Sequence, residues 1–276
     1  MADMRPFTHR IFSDFSGDDG DPGVAGASRT LCITWVITKE EDIWHNQGVV
    51  LGIKRTIGCR PDAELKYRSL RHHPSRRKAL ALLSEAKVEV ILVPVFKERV
   101  KEEDLKDPKT KRLVSLIHYV PIGPFSEKFF KRSDTYFQLV FDEVGWAGCE
   151  EAIRAQFQRD KRLDWKKARA DWLLFTKSGS SLMLQLADVI AGLGREYVES
   201  LLGQRLPTCV VCWLKGVRAC SYIKAGRSVG RASLMRLLYP LLLKDDGGKA
   251  WESGFTTRPP GVQRDYLFID CLFGGK

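Results

Sequence analysis

The chain has 276 residues, 44% of them hydrophobic and 29% charged, a balance that excludes a disordered tail and suits one large domain or a core with an appendage. No apolar run reaches the roughly 18 residues of a membrane-spanning helix, and the opening Met-Ala-Asp-Met-Arg-Pro lacks the apolar core of a signal peptide, so the expected location is the cytoplasm. The formal net charge of +11 favours a polyanionic partner, nucleic acid above all, and does not bear on fold.

In chain order, His9 to Asp14 reads as a short strand ending at a turn, because Asp-Asp-Gly-Asp-Pro-Gly follows closely. Leu31, Ile33, Trp35 and Ile37 alternate with Cys32, Thr34, Val36 and Thr38, a second strand rich in β-branched residues. The turn-rich link between them suggests an antiparallel pair. Glu41 to Ile57 carries a helical stripe of Ile43, Val50, Ile53 and Ile57, weakened by Gly48 and Gly52. Ser75 is placed to cap a helix reaching about Ala86. Val88 to Phe96 is a nearly continuous β-branched run, the signature of a buried strand. Lys97 to Arg112 is dense in charge and reads as an exposed helix or long loop.

Tyr136 to Asp142 is a further buried strand, followed by a helix over Cys149 to Arg162 with Ile153 and Phe157 facing inward. Trp172 to Thr176 is a short strand. Ser181 to Gly203 is the strongest helix of the chain, apolar nearly all round and therefore buried, with Gly203 as its stop. This order of strands and helices is a mixed α/β pattern around one sheet. It suggests a core over residues 1–203 and a basic C-terminal extension or subdomain over 204–276. In that extension, Leu234 to Leu243 is a helix interrupted at Pro240, and Tyr266 to Phe273 a last strand.

Basic residues are unevenly spread. Ser200 to Lys244 contains no acid, yet holds Lys215, Arg218, Lys224 and Arg227 among its cations; a second cluster includes Lys66, Arg68, Arg71 and Lys78. Either cluster reads as a solvated face or as a phosphate-binding surface, and the complete absence of acids favours the second. Seven cysteines, several in apolar runs, read as buried free thiols. Cys209 and Cys212 form a CxxC, but no fourth ligand follows at a spacing that closes a zinc site.

Three acids stand where acids are costly. Asp14 and Asp142 each follow an apolar strand, and Asp188 lies inside the apolar helix, on the same face as Leu184, Gln185, Ala191 and Gly192. A buried carboxylate needs a partner or a metal. The small residues on that face let the helix approach a sheet, so that a short Asp can reach strand ends. Converging carboxylates would form a hard oxygen site suited to Mg²⁺ or Mn²⁺, and two such ions about 4 Å apart suit phosphodiester cleavage. The alternative is turn capping for Asp14 and Asp142 and a buried ion pair for Asp188. No Walker loop and no Gly-x-Ser-x-Gly elbow competes with the carboxylates.

At these residues the chain resembles the domain of unknown function 3800 family. Phe12-Ser13-Asp14-Phe15-Ser16-Gly17-Asp18 is similar to its opening Tyr-x-Asp-Glu-Ser-Gly-Asp phrase, and Glu64-Leu65-Lys66 to its Glu-x-Lys element. Phe141-Asp142 matches a later strand end, and Lys177-Ser178 followed by Leu184 to Gly192 matches its Leu-Gln-Leu-Ala-Asp signature. The resemblance, over about residues 9–200, implies a ribonuclease H-like fold: a mixed five-stranded sheet flanked by helices. It implies Asp14, Glu64, Asp142 and Asp188 as the acidic set that would hold metal; in a nuclease built on them, Lys66 or Lys177 would neutralise a transition-state phosphate. The expected function is a Mg²⁺- or Mn²⁺-dependent nuclease on DNA or RNA, with Arg68, Arg71, Lys177, Lys215, Arg218, Lys224 and Arg227 contacting nucleic acid. One departure matters, since Phe15 stands where the family carries Glu. If that Glu serves the metal, the chain is instead a binding module with a degraded site; a protein-interaction component is a third reading.

Overall fold

The structure is a computed structural model that describes residues 6–17, 28, 30–96, 125, 128–129, 136–143, 149–159, 172–202 and 238–244. Five strands form one mixed sheet: β1 (His9–Ser16), β2 (Thr30–Lys39), β3 (Glu89–Phe96), β4 (Phe137–Asp142) and β5 (Leu173–Thr176), in the order β3-β2-β1-β4-β5. β1 pairs antiparallel with β2, and β2 antiparallel with β3. β4 runs parallel to both β1 and β5. The antiparallel pair expected from the first two strands is present, and β2 is buried along nearly its whole length because both of its faces are covered.

Among the described residues the α-helices are α1 (Ile43–Thr56), α2 (Tyr67–Arg71), α3 (Arg76–Ala81), α4 (Cys149–Arg159) and α5 (Leu182–Leu202). They divide between the two faces of the sheet. Phe12, Cys32, Val36, Val90, Leu92 and Val140 form one core with α1, α2, α3 and α5. Ile11, Ile33, Trp35, Ile37, Phe137 and Phe141 form the other, with Ile153 and Phe157 of α4. Period-two alternation along each strand assigns successive residues to opposite cores. The chain is therefore an α/β protein with helices on both faces of a five-stranded mixed sheet.

Several boundaries differ from the sequence expectation. β1 continues two residues past Asp14, to Ser16, and Gly17 then takes a φ of +116° in which an added Cβ would lie 2.6 Å from the Thr30 carbonyl oxygen. Asp14 is thus a strand residue and not a turn cap. Ser75 makes no capping hydrogen bond through its side chain, and α3 tightens into a 3-10 turn at Leu82–Glu85. The short α2, which no periodicity announced, occupies Tyr67–Arg71. Within the expected helix around Pro240, Tyr239–Leu241 forms a 3-10 turn, and Leu242 bridges to Val90 on edge strand β3. The segment 97–112, the CxxC, Gly203, residues 204–237 and the expected last strand lie outside the described residues.

α5 lies against β1 and β2. The glycines that permit this are more specific than a generally small face. An added Cβ at Gly194 would stand 2.9 Å from Cys32 Sγ, so this residue allows the approach to the sheet. At Gly192 it would stand 2.1 Å from Tyr67 Cγ, so that residue seats α2 and not a strand. Cys32 is a fully buried free thiol whose pKa burial pushes up to about 12, the inert structural role expected of it. Among the described residues no helix is long and apolar enough to cross a membrane.

Candidate active site

β1 and β4 are parallel neighbours, with Ser13 level with Phe141. Asp14 and Asp142 are the next residues along each strand, so register alone brings them side by side. Phe12 and Val140 lie in the core covered by α5; alternation turns Asp14 and Asp142 towards that same layer. Asp188 enters from α5, and Glu64 and Lys66 from the loop that leads into α2. That loop is held at its start by Lys54 Nζ, which donates to the Pro61 carbonyl at 3.0 Å. It is held at its end by Gln185 of α5, whose Oε1 accepts from Leu65 N at 3.0 Å.

Each carboxylate has a defined partner. Asp142 Oδ1 accepts from Ser178 N at 2.7 Å, and Asp188 Oδ2 accepts from Tyr67 N at 2.5 Å. Glu64 Oε1 lies 2.7 Å from Lys66 Nζ and accepts a hydrogen bond from Ser178 Oγ. Lys66 Nζ also donates to Ser178 Oγ at 2.8 Å. Asp14 is the exception: it is 4% exposed, its Oδ1 accepts, among the described residues, only from the adjacent Phe15 N at 2.7 Å, and its Oδ2 is buried with no hydrogen-bond partner among them. A buried, unsatisfied carboxylate oxygen is costly.

The four acids share one electrostatic environment. Burial first, then the charges of Asp188 and Asp142, push the Asp14 carboxyl well above the usual range. Burial likewise raises Asp142 and Asp188, and each of these also feels Glu64. Glu64 behaves oppositely: although burial pushes it up, its hydrogen bonds from Lys66 and Ser178 prevail and hold it low. Lys66 is held protonated, burial being outweighed by Glu64, Asp14 and Asp188 together. Ser178 and Lys66 are therefore not a nucleophile and base, because the ammonium has no lone pair to offer and the hydroxyl proton is directed at Glu64.

Comparison of the chain with protein-family models, with curated proteins and with solved structures returned no match. The site has to be read from its own geometry.

All five expected catalytic residues, Asp14, Glu64, Lys66, Asp142 and Asp188, meet at one place. The expected phosphate contacts do not all follow them. Arg68 is exposed and its charge reaches Glu64. Lys177 is exposed immediately before Ser178. Arg71 is exposed but turned towards Glu196, 3.8 Å away, and not towards the four acids. Lys215, Arg218, Lys224 and Arg227 lie outside the described residues. Ser178 and Gln185 were legible only as letters of a motif, yet they knit the site together. Gln185 Nε2 donates to the Ser178 carbonyl at 3.0 Å while its Oε1 holds Leu65.

Phe15 resolves on the opposite face. It packs against the aromatic core with Phe141 and Trp35, so a glutamate at this position would point away from Asp14. Phe15 therefore takes nothing from this cluster.

The donor set suits a hard divalent cation: it consists of carboxylate oxygens, one of them buried and unpartnered. Among the described residues, no three acid, histidine or cysteine side chains stand close enough together to hold an ion as they are. The Lys66 ammonium holds Glu64 instead.

Proposed function

We propose that this chain is a Mg²⁺- or Mn²⁺-dependent nuclease that hydrolyses phosphodiester bonds of DNA or RNA in the cytoplasm. In this reading its α/β core is ribonuclease H-like and is the core of a domain of unknown function 3800 family member, with the basic residues beyond 203 as an extension that binds nucleic acid. The observation that carries the reading is the convergence of Asp14, Asp142 and Asp188 from β1, β4 and α5, with Asp14 Oδ2 buried and unsatisfied. Structural acids are matched by cations or donors; here, behind the effect of burial, Asp188 and Asp142 push Asp14 up, Glu64 and Asp142 push Asp188 up, and Glu64 pushes Asp142 up. That arrangement is unfavourable in the free protein and favourable around a divalent charge. A mixed five-stranded sheet with helices on both faces supports the fold reading.

Asp14, Asp142, Asp188 and Glu64 would hold the metal. A divalent ion there would supply a water of lowered pKa and Lewis-acid stabilisation of the leaving oxygen. Ser178 N orients Asp142, Tyr67 N orients Asp188, and the buried Gln185 fixes the loop that carries Glu64. Lys66 supplies the positive charge that offsets the developing phosphorane. Arg68 and Lys177, both exposed beside the cluster, take flanking phosphates.

The test is Mn²⁺-dependent cleavage of a mixture of DNA and RNA by the full chain, compared with Asp14→Asn and Asp188→Asn. The expected result is cleavage by the wild type and loss of it in both variants. Equal activity in all three proteins overturns the reading.

A further inference from the structure

Lys66 has a place that a simple surface ion pair does not. Its ammonium touches both Glu64 Oε1, at 2.7 Å, and Ser178 Oγ, at 2.8 Å. Its charge is felt by Asp14, Asp142 and Asp188 as well as by Glu64. It is therefore a monovalent cation in contact with one of the four carboxylates of the candidate metal shell and within electrostatic reach of the other three. Resting on the metal-site reading above, we infer that Lys66 is a built-in competitor of the metal, which occupies Glu64 in the free protein and has to release it before the ion can engage all four acids.

The local structure allows such a release. Lys66 precedes α2 with extended backbone, φ −111° and ψ 144°, so moving its side chain breaks no helical hydrogen bond. The side chain is 29% exposed, which leaves a route to solvent, and the lysine stem has several freely rotating bonds. The partners of the three aspartates are backbone amides, Phe15 N, Ser178 N and Tyr67 N, which cannot leave, and the other partner of Glu64 is the short Ser178 hydroxyl. Lys66 is the part of the shell that can move.

The released ammonium has one chemically matched destination, a phosphate of the bound nucleic acid. Substrate binding would then draw Lys66 from Glu64 and raise metal affinity, and by linkage metal would raise substrate affinity to the same degree. The competing idea is that Lys66 preorganises Glu64 as a ligand. The two ideas predict opposite signs when the charge is removed.

The experiment is calorimetric titration of the full chain with MnCl₂, without nucleic acid, for wild type, Lys66→Met, Lys66→Gln and Asp14→Asn. Melting temperatures are measured in chelator and in Mn²⁺ alongside. Lys66→Met is expected to bind Mn²⁺ about tenfold more tightly than wild type, as for loss of one charge-assisted hydrogen bond. It should melt lower than wild type in chelator and gain more from Mn²⁺. Lys66→Gln keeps a donor to Glu64 without the charge, and should also bind more tightly; it carries the test if Lys66→Met fails to fold. Unchanged or weaker Mn²⁺ binding by the Lys66 variants, with binding present in wild type and lost in Asp14→Asn, overturns the competitor role alone. No binding by any of the four proteins overturns the metal-site reading and this inference together.

Discussion

The two faces of the sheet are built from the same strands but obey different rules. On one face Trp35 stacks on Phe157, with ring centroids 6.2 Å apart, and meets Phe125 and Phe141 edge-on. This face is closed by aromatic rings packed among aliphatic side chains such as Ile11, Ile33 and Leu139, with Ile153 and Phe157 of α4 over it. The other face begins as an aliphatic core under α5 and ends, at the carboxyl ends of β1 and β4, in a group of acids. Asp14 and Phe15 are adjacent in the chain and belong to different faces. One face maximises apolar burial; the other gives up part of its burial to hold charges that do not match.

The largest effect is expected on the aromatic face. Trp35 is fully buried, and Trp35→Ala should lower stability by about 3–5 kcal/mol, the usual cost of truncating a large core aromatic, read from the urea midpoint. A loss under about 1 kcal/mol would mean that this face is not the main source of stability.

The acidic face should show itself in pH dependence. Burial, then Asp188 and Asp142, raise the Asp14 carboxyl, so the folded chain keeps that proton to higher pH than the unfolded chain does. Below the ordinary carboxylate range both states are protonated and there is no penalty. Stability then falls as pH climbs from that ordinary range to the raised value, and levels beyond it. In chelator, Asp14→Asn should be more stable than wild type near neutral pH and follow a flatter curve. Denaturation midpoints at a series of pH values measure both, and parallel curves would show that Asp14 carries no such penalty.

The smallest effect sharpens the boundary between the faces. Phe15→Glu places a carboxylate next to Asp14 in the chain, but on the aromatic side and at a partly buried position. It should cost about 1–2 kcal/mol, as expected for a polar group placed against apolar surface, and leave Mn²⁺ affinity at the wild-type value. A gain in Mn²⁺ affinity would place position 15 on the acidic face.

Strand positions were legible because period-two alternation and β-branched runs are local properties. β2, β3 and β4 fall within a residue or two of where the pattern puts them. α5 was legible from its all-round apolar character. α2 was not, because five residues carry too little periodicity to stand out, and its helix depends on the Tyr67 ring resting on Gly192. That ring is anchored beyond the site: Tyr67 Oη donates to Glu196, and Arg76 Nη2 donates to Tyr67 Oη at 2.7 Å. No spacing rule links residues 67, 76 and 196.

By itself the sequence determined the five strands, the helices α1, α3, α4 and α5, the burial of α5 and the identity of the acids that cannot be ordinary surface residues. All of these follow from local periodicity and from the cost of an apolar neighbourhood around a carboxylate. Only the tertiary structure decided which acids meet, because that depends on β1 and β4 being parallel neighbours in one register. It also decided that Asp14 and Phe15 face apart, which needs the strand to run on to Ser16. And it placed the Lys66 ammonium between Glu64 and Ser178, a contact across 112 residues that no local pattern encodes.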